Sequence, residues 1–201
     1  MKNIKNLLVM LGVLFLSSCS LFSPVKMDSG SSYMLYRSPD YLPKKPMRSA
    51  SIMVNMPDTN PAYDTTQMAY TTQAYQVAYF SKNSWAETPA EMLEPLIVQT
   101  LQKAKYFKTV AAIPFVGRAN FLLNTKILIL EQDFTRSPSI IRFKLRAQLS
   151  NVQTGQVVGT KEFTISQEVR QNTPYGGVIA ANAAVAHVLG QLAVFCREQA
   201  K

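Results

Sequence analysis

The segment "IIRFKLRAQL", Ile140 to Leu149, alternates without a fault. Ile141, Phe143, Leu145, Ala147 and Leu149 take one parity, and Arg142, Lys144, Arg146 and Gln148 the other. A period of two puts one apolar and one polar face on a strand, a pattern that no helix shares. "NVQTGQ" then supplies a turn, and "VVGTKEFTISQEV" returns with Val157, Phe163 and Ile165 on the inner face. Keeping apolar opposite apolar requires Glu162 to stand across from Lys144 or Arg146. A three-residue loop with Gly155 in the left-handed region produces the second of these registers. The chain therefore carries a long antiparallel hairpin, and its other elements must cover the apolar side.

Those elements are legible in turn. "ANFLLNTKILILEQDF", Ala119 to Phe134, is long and rich in Leu and Ile, as a central strand is. "YMLY", Tyr33 to Tyr36, reads as a short strand, and the three prolines of "RSPDYLPKKP" as an extended linker or edge. "SIMVNMP", Ser51 to Pro57, points Ile52, Val54 and Met56 inward until Pro57 stops it. Met68 and Tyr70 share one parity, and Tyr75, Val77 and Tyr79 the other, so the polar "TTQ" between them predicts a hairpin. Thr88-Pro89-Ala90-Glu91 is a capping box with proline at the first helical position. Leu93, Leu96, Ile97, Leu101, Ala104 and Phe107 continue that helix to about Phe107. Pro95 deletes one backbone hydrogen bond, so the helix bends there or begins later. From Tyr175 a second helix carries an apolar stripe of Val178, Val185, Val188 or Leu189, Leu192 and Phe195. Its small-residue face is Ala180, Ala183, Ala184 and Gly190. The expected fold is a single α+β domain, a mainly antiparallel sheet with two helices packed on one face.

The N-terminus bears on compartment. Lys2 and Lys5 precede an apolar run, "LLVMLGVLFL", and then two serines and Cys19. That is the layout of a secretory signal peptide over residues 1–18, and the run is too short for a lasting transmembrane helix. "LSSC", Leu16 to Cys19, resembles the bacterial lipobox, which implies cleavage before Cys19 and a covalent diacylglycerol on its thiol. Ser20 stands where an inner-membrane retention signal would place aspartate, so the expected address is the outer membrane, facing the periplasm. Residues 19–32 are polar and turn-prone, a tether, and residues 33–201 form the domain. With Cys19 acylated, Cys196 has no disulfide partner and is expected as a buried thiol. The formal charge of +9 includes Lys2 and Lys5, which leave with the leader. Outside the cytoplasm, anionic headgroups, lipopolysaccharide or an acidic protein suit such a charge better than nucleic acid.

Catalytic patterns are missing from the sequence. His187 sits mid-helix among alanines, with no carboxylate or cysteine three or four residues away, and reads as structural or surface. There is no G-x-S-x-G, no paired Cys or His at ligand spacing and no phosphate loop, so neither an enzyme, a metal site nor a cofactor is expected. "YGGV", Tyr175 to Val178, is too short a glycine motif to argue anion binding. Glu131 and Asp133 share a strand face and read as a strand end emerging into solvent rather than a catalytic pair. Two surfaces remain. Arg142, Lys144 and Arg146 form a basic strip that is either a solvated sheet face, partly neutralised by Glu162, or a docking surface for an acidic partner or headgroup. Tyr75, Tyr79 and Trp85 are either half-buried sheet and corner residues or a stacking surface, and the structural role is favoured.

In order of features the chain resembles the ABC-type transport auxiliary lipoproteins, the group that includes the paraquat-inducible protein C lipoproteins. The matching pieces are "LSSC", "YMLY" and "YDTTQMAYTTQAYQVAYFSKNSWAETPAEMLEPLIVQTL". They continue with "ANFLLNTKILILEQDF", "FKLRAQLSNVQTGQVVGTKEFTIS" and the alanine-rich closing helix. The resemblance implies no catalytic residues. It implies an outer-membrane-tethered, periplasm-facing subunit of an envelope lipid-transport system, in which an ABC transporter or permease works with an MCE-type protein that bridges the periplasm. The lipoprotein would receive or dock the far end of that bridge. Small-residue helix faces and an exposed sheet edge would also allow a homo-oligomeric ring. The alternatives are a lipid- or glycan-binding lipoprotein using Tyr75, Tyr79 and Trp85, and an assembly lipoprotein for another outer-membrane complex.

Overall fold

In the computed structural model, residues 30–114 and 117–200 are described. The expected leader, Cys19 and the expected tether up to residue 29 lie outside the described residues. In chain order the elements are β1 Ser31–Tyr33, β2 Arg48–Val54, β3 Asp58–Thr59, a 3-10 turn Pro61–Tyr63, β4 Gln67–Thr71 and β5 Ala78–Trp85. They continue with α1 Pro89–Ala104, β6 Phe107–Ala112, β7 Phe121–Asp133, β8 Ile140–Asn151, β9 Val157–Glu168 and α2 Pro174–Gln199.

β7 organises the sheet. One edge pairs antiparallel with β8 along its whole length. The other edge takes β2, β3 and β4 one after another, all parallel, at Ile52↔Phe121, Asp58↔Lys126 and Tyr70↔Gln132. Residues 48–71 thus act as one broken strand, interrupted at Pro57 and Pro61, where the ladder loses its N–H donors. β6 adds to β2, β5 to β4 and β1 to β5. The antiparallel β7–β8–β9 meander carries the longest pairings, and the short strands attach to it mostly in parallel. α2 lies over β8 and β9, α1 over β6 and β2, and the helices touch each other on the same sheet face. Between sheet and helices lies the core: Ile141, Phe143, Leu145, Ala147 and Leu149 of β8 against Val185, Val188, Leu189 and Leu192 of α2, all buried. α2 is long and apolar enough to cross a bilayer, but most of its most apolar window is buried inside this fold.

The hairpin register is the expected one, Arg146↔Glu162, with Gly155 at φ +69°. It is reached differently. The turn holds four residues, Val152–Gly155, closed by Asn151 N–H to Gln156 O at 2.8 Å. A bulge at Val158 takes up the extra residue and reverses the parity before it. Val157 therefore faces out, 50 % exposed, while Val158 packs on the core.

Other boundaries differ for local reasons. "YMLY" is a strand only to Tyr33, and β2 ends at Val54, leaving Met56 half exposed. β5 begins at Ala78, so Tyr75 and Val77 belong to the turn, where Tyr75 takes φ +65°. Thr88 caps α1 in a complete capping box, and α1 runs unbroken through Pro95. Pro95 and Glu91, whose carbonyl loses its partner, are both exposed, so water satisfies the gap. α1 stops at Ala104 with Lys105 left-handed, which makes the buried Phe107 the first residue of β6 rather than the last of the helix.

The proline-rich segment is a strap across the helices. Asn182 of α2 accepts from the Tyr36 and Arg37 N–H groups at 2.7 and 3.0 Å and donates to Met34 O at 3.0 Å. Lys103 donates to Pro39 O at 2.6 Å, Tyr106 O–H to Pro43 O, and Arg197 to Pro46 O at 2.8 Å. The small-residue face of α2 serves the strap: a side chain at Gly190 would meet Pro39 and Leu42. At Gly190 that face is therefore occupied within the chain.

Candidate functional site: an ionic cleft on the outer sheet face

A bulge at Leu128 shifts the parity of β7 between Ile127 and Ile129. Leu130 and Gln132 then point to the helix side, and Glu131 and Asp133 to the opposite face, beside Arg142 of β8. The two carboxylates do not emerge into solvent as the sequence suggested. They are 3 % and 6 % exposed, in a cleft walled by Tyr63 of the 3-10 turn and the β4–β5 turn.

Each buried charge has its partners. Glu131 Oε2 accepts from the Tyr63 hydroxyl at 2.7 Å. Glu131 Oε1 accepts from Arg142 Nε at 3.0 Å and from Nη2. Asp133 Oδ2 stands 3.6 Å from Arg142 Nε, and Asp133 Oδ1 accepts from Thr135 N–H at 2.9 Å and Oγ1–H at 2.5 Å. The hydrogen bond from Arg142 to Glu131 raises the guanidinium pKa against some loss from desolvation. Burial, then the Glu131 hydrogen bond, raises the Tyr63 phenol well above its usual range. Arg142 is thus held by its Nε and Nη2 edge while its side chain stays 43 % exposed.

This network floors an open cleft of about 710 Å³, lined also by Thr71, Tyr75, Val77 and Arg136. Glu131 and Asp133 offset Arg142 and Arg136, so the cleft is close to neutral. A positioned guanidinium in the same cleft as a fully exposed Tyr75 suits recognition of a polar or acidic group. Among the described residues no group of three or more His, Cys, Asp or Glu is placed to hold a metal ion. His187 is exposed and contacts Gln191 at 3.1 Å, and Cys196 is buried and free, its thiol pKa pushed up by burial. At "YGGV" a side chain on Gly176 would fall 1.9 Å from Gln171 O and one on Gly177 2.3 Å from Gln132 Oε1. These glycines permit close packing of the helix start.

Of the residues singled out from sequence, Arg142 and Tyr75 meet in the cleft. Lys144 and Arg146 continue the outward strip, but both pair with Glu162, at 2.5 and 2.6 Å. Tyr75, Tyr79 and Trp85 do not form one surface. The Tyr79 hydroxyl donates to Ala62 O at 2.9 Å, steadying the 3-10 turn, and Trp85 is buried in the core. The aromatic cluster of this region is instead Tyr70, Phe80 and Phe134, with Tyr70 and Phe80 centroids 4.6 Å apart. Tyr63, Thr135 and Arg136 had no signal in the pattern, since they lie in irregular segments without periodicity.

The fold is similar to the crystal structure of protein XCC0632 from Xanthomonas campestris, of the DUF330 family. That match has TM-score 0.74 and 19 % identity, covering 85 % of this chain and 94 % of that one. An uncharacterized protein matches with TM-score 0.68 and 15 % identity, over 84 % of this chain and 99 % of that one. PelC of Paraburkholderia phytofirmans, crystallised as a dodecamer, is a looser match with TM-score 0.45 and 17 % identity, over 82 % of this chain and 92 % of that one. Among curated proteins, none matches. The profile of the ABC-type transport auxiliary lipoprotein component matches residues 33–193, from the strap through all but the end of α2, and the chain belongs to that family.

Proposed function

We propose that this chain is lipidated at Cys19, sits on the periplasmic side of the outer membrane, and docks an MCE-type, periplasm-bridging protein of an ABC-driven lipid-transport system. The observation that carries the reading is the family match along nearly the whole folded chain. Ser20 after Cys19 supports the outer-membrane address, and the long, sequential outer face of β7–β8 supports docking. Contact would centre on the Arg142 cleft with Tyr75 at its rim, flanked by Lys144 and Arg146. Fixed guanidinium groups of this kind favour acidic side chains on the partner. A lipid or glycan pocket of Tyr75, Tyr79 and Trp85 has less support, because Trp85 lies in the core and the Tyr79 hydroxyl is engaged.

The test is co-purification of the tagged lipoprotein from detergent-solubilised envelopes. The expected result is recovery of an MCE-type protein, reduced in Tyr75→Ala and in Lys144→Ser/Arg146→Ser, both of which leave the Glu131–Arg142 pair intact. Recovery of phospholipid without such a protein would favour the lipid-binding alternative. Equal recovery by parent and variants would remove docking from this face.

A further inference from the structure

Four apolar side chains stay exposed together where the strap meets the start of α2. Met34 is 51 % exposed, Tyr36 82 %, Tyr175 53 % and Ile179 52 %. They are neighbours by construction. Tyr175, Ile179 and Asn182 follow one another at helical spacing on α2, and Asn182 clamps the backbone of Met34 and Tyr36. Tyr33 packs at a tilt against Tyr175 with centroids 5.7 Å apart, which joins β1 to the patch. The strap and helix are held there by hydrogen bonds, so the exposure is a fixed feature and not a loose end. Two tyrosines beside two aliphatic residues also match the mixed character of a bilayer interface, where rings sit among headgroups and aliphatic chains below.

We infer that this patch is a second membrane contact, resting on the phospholipid surface in which the chain is anchored. The inference rests on the lipid anchor at Cys19. Its support is where the chain outside the described structure ends. Cys19 precedes Gly30 by 11 residues, so the described chain starts within about 40 Å of the headgroups on any path. β1 then leads directly from Gly30 to the patch, with Met34 only four residues on. The other end of the fold is remote: the β8–β9 hairpin runs from the Ile140↔Glu168 pair, near the start of α2, to Ser150↔Val157. That is about 33 Å of strand. An anchored chain already has most of its freedom removed, so even a small apolar patch at high effective concentration over the bilayer can settle on it.

Single tryptophans report the contact. The lipidated full-length chain carrying Tyr36→Trp, Ile179→Trp or, at the remote turn, Val152→Trp is reconstituted into phosphatidylethanolamine–phosphatidylglycerol vesicles with or without brominated acyl chains. The native Trp85, buried in the core, supplies a constant baseline. Indoles at the acyl–headgroup boundary should lose about half their emission or more to bromine, so Tyr36→Trp and Ile179→Trp should dim and Val152→Trp should not. Flotation with the vesicles while all three stay bright would overturn the patch and leave the anchor standing. Equal dimming of all three would also overturn it. A chain that does not float would remove the anchor, and the patch with it.

Discussion

The two faces of the β7–β8 ladder bury side chains by opposite means. On the helix side, Phe143, Leu145 and Leu149 vanish beneath α2, and stability comes from apolar area and packing. On the other side, Glu131 and Asp133 are buried beside a 3-10 turn and a hairpin turn, with Arg142, Tyr63 and Thr135 supplying the compensating bonds. The first face tolerates no charge, and the second cannot exist without balanced charge. Only the second leaves a charged group partly open, because its network presents Arg142 at a cleft, whereas the packed core presents nothing.

Substitutions can sharpen or break this contrast. The largest loss should come from the inner face: Phe143→Ala leaves a cavity under α2 and should cost about 3–5 kcal/mol in denaturant unfolding. Glu131→Gln removes the nearer of two counter-charges of Arg142, leaving Asp133, and should cost about 2–3 kcal/mol, less than a fully buried pair because Arg142 is partly exposed. A double cycle with Tyr63→Phe should show coupling. Additive effects would mean the network is only a set of neighbours.

Alkaline pH should separate the faces next. The Cys196 thiol, behind the inner face, and the Tyr63 phenol, on the outer, both have raised pKa values, the first through burial and the second through burial and then Glu131. Both are protonated in the fold and ionise more readily once unfolded. Their contribution is therefore complete below the unfolded values and fades as pH rises past about 8.5 for the thiol and about 10 for the phenol. Cys196→Ala should flatten the first part of the fall in unfolding free energy and Tyr63→Phe the second, where buried Tyr106 also contributes. An identical alkaline profile in both variants would sink the assignment. The smallest effect should follow Lys144→Ser/Arg146→Ser. Their partner Glu162 is solvent-exposed, so the melting temperature should hardly move while partner capture falls.

Sequence pattern reached the inner face almost completely. The alternation of Ile141 to Leu149, the stripe of α2, the capping box at Thr88 and the left-handed Gly155 each follow from local chemistry with a fixed period. Bulges broke the extrapolation at Val158 and Leu128, since one inserted residue inverts every later parity without leaving a mark in composition. The strap was readable as proline-rich but not as a clamp, because its partners Asn182, Lys103 and Arg197 lie far along the chain.

The sequence by itself determined a helix-covered antiparallel hairpin, an N-terminal apolar run ending on a lipobox-like "LSSC", and a basic strip at Arg142, Lys144 and Arg146. All three are written in local periods or contiguous motifs. Only the tertiary structure decided that Glu131 and Asp133 are buried, that Arg142 and Tyr75 share a cleft, that Trp85 belongs to the core, and that Asn182 of α2 clamps the backbone at Met34 and Tyr36. Those pairings depend on strand parity after a bulge and on loops folding over a sheet, and no local rule of the chain encodes which distant segment arrives.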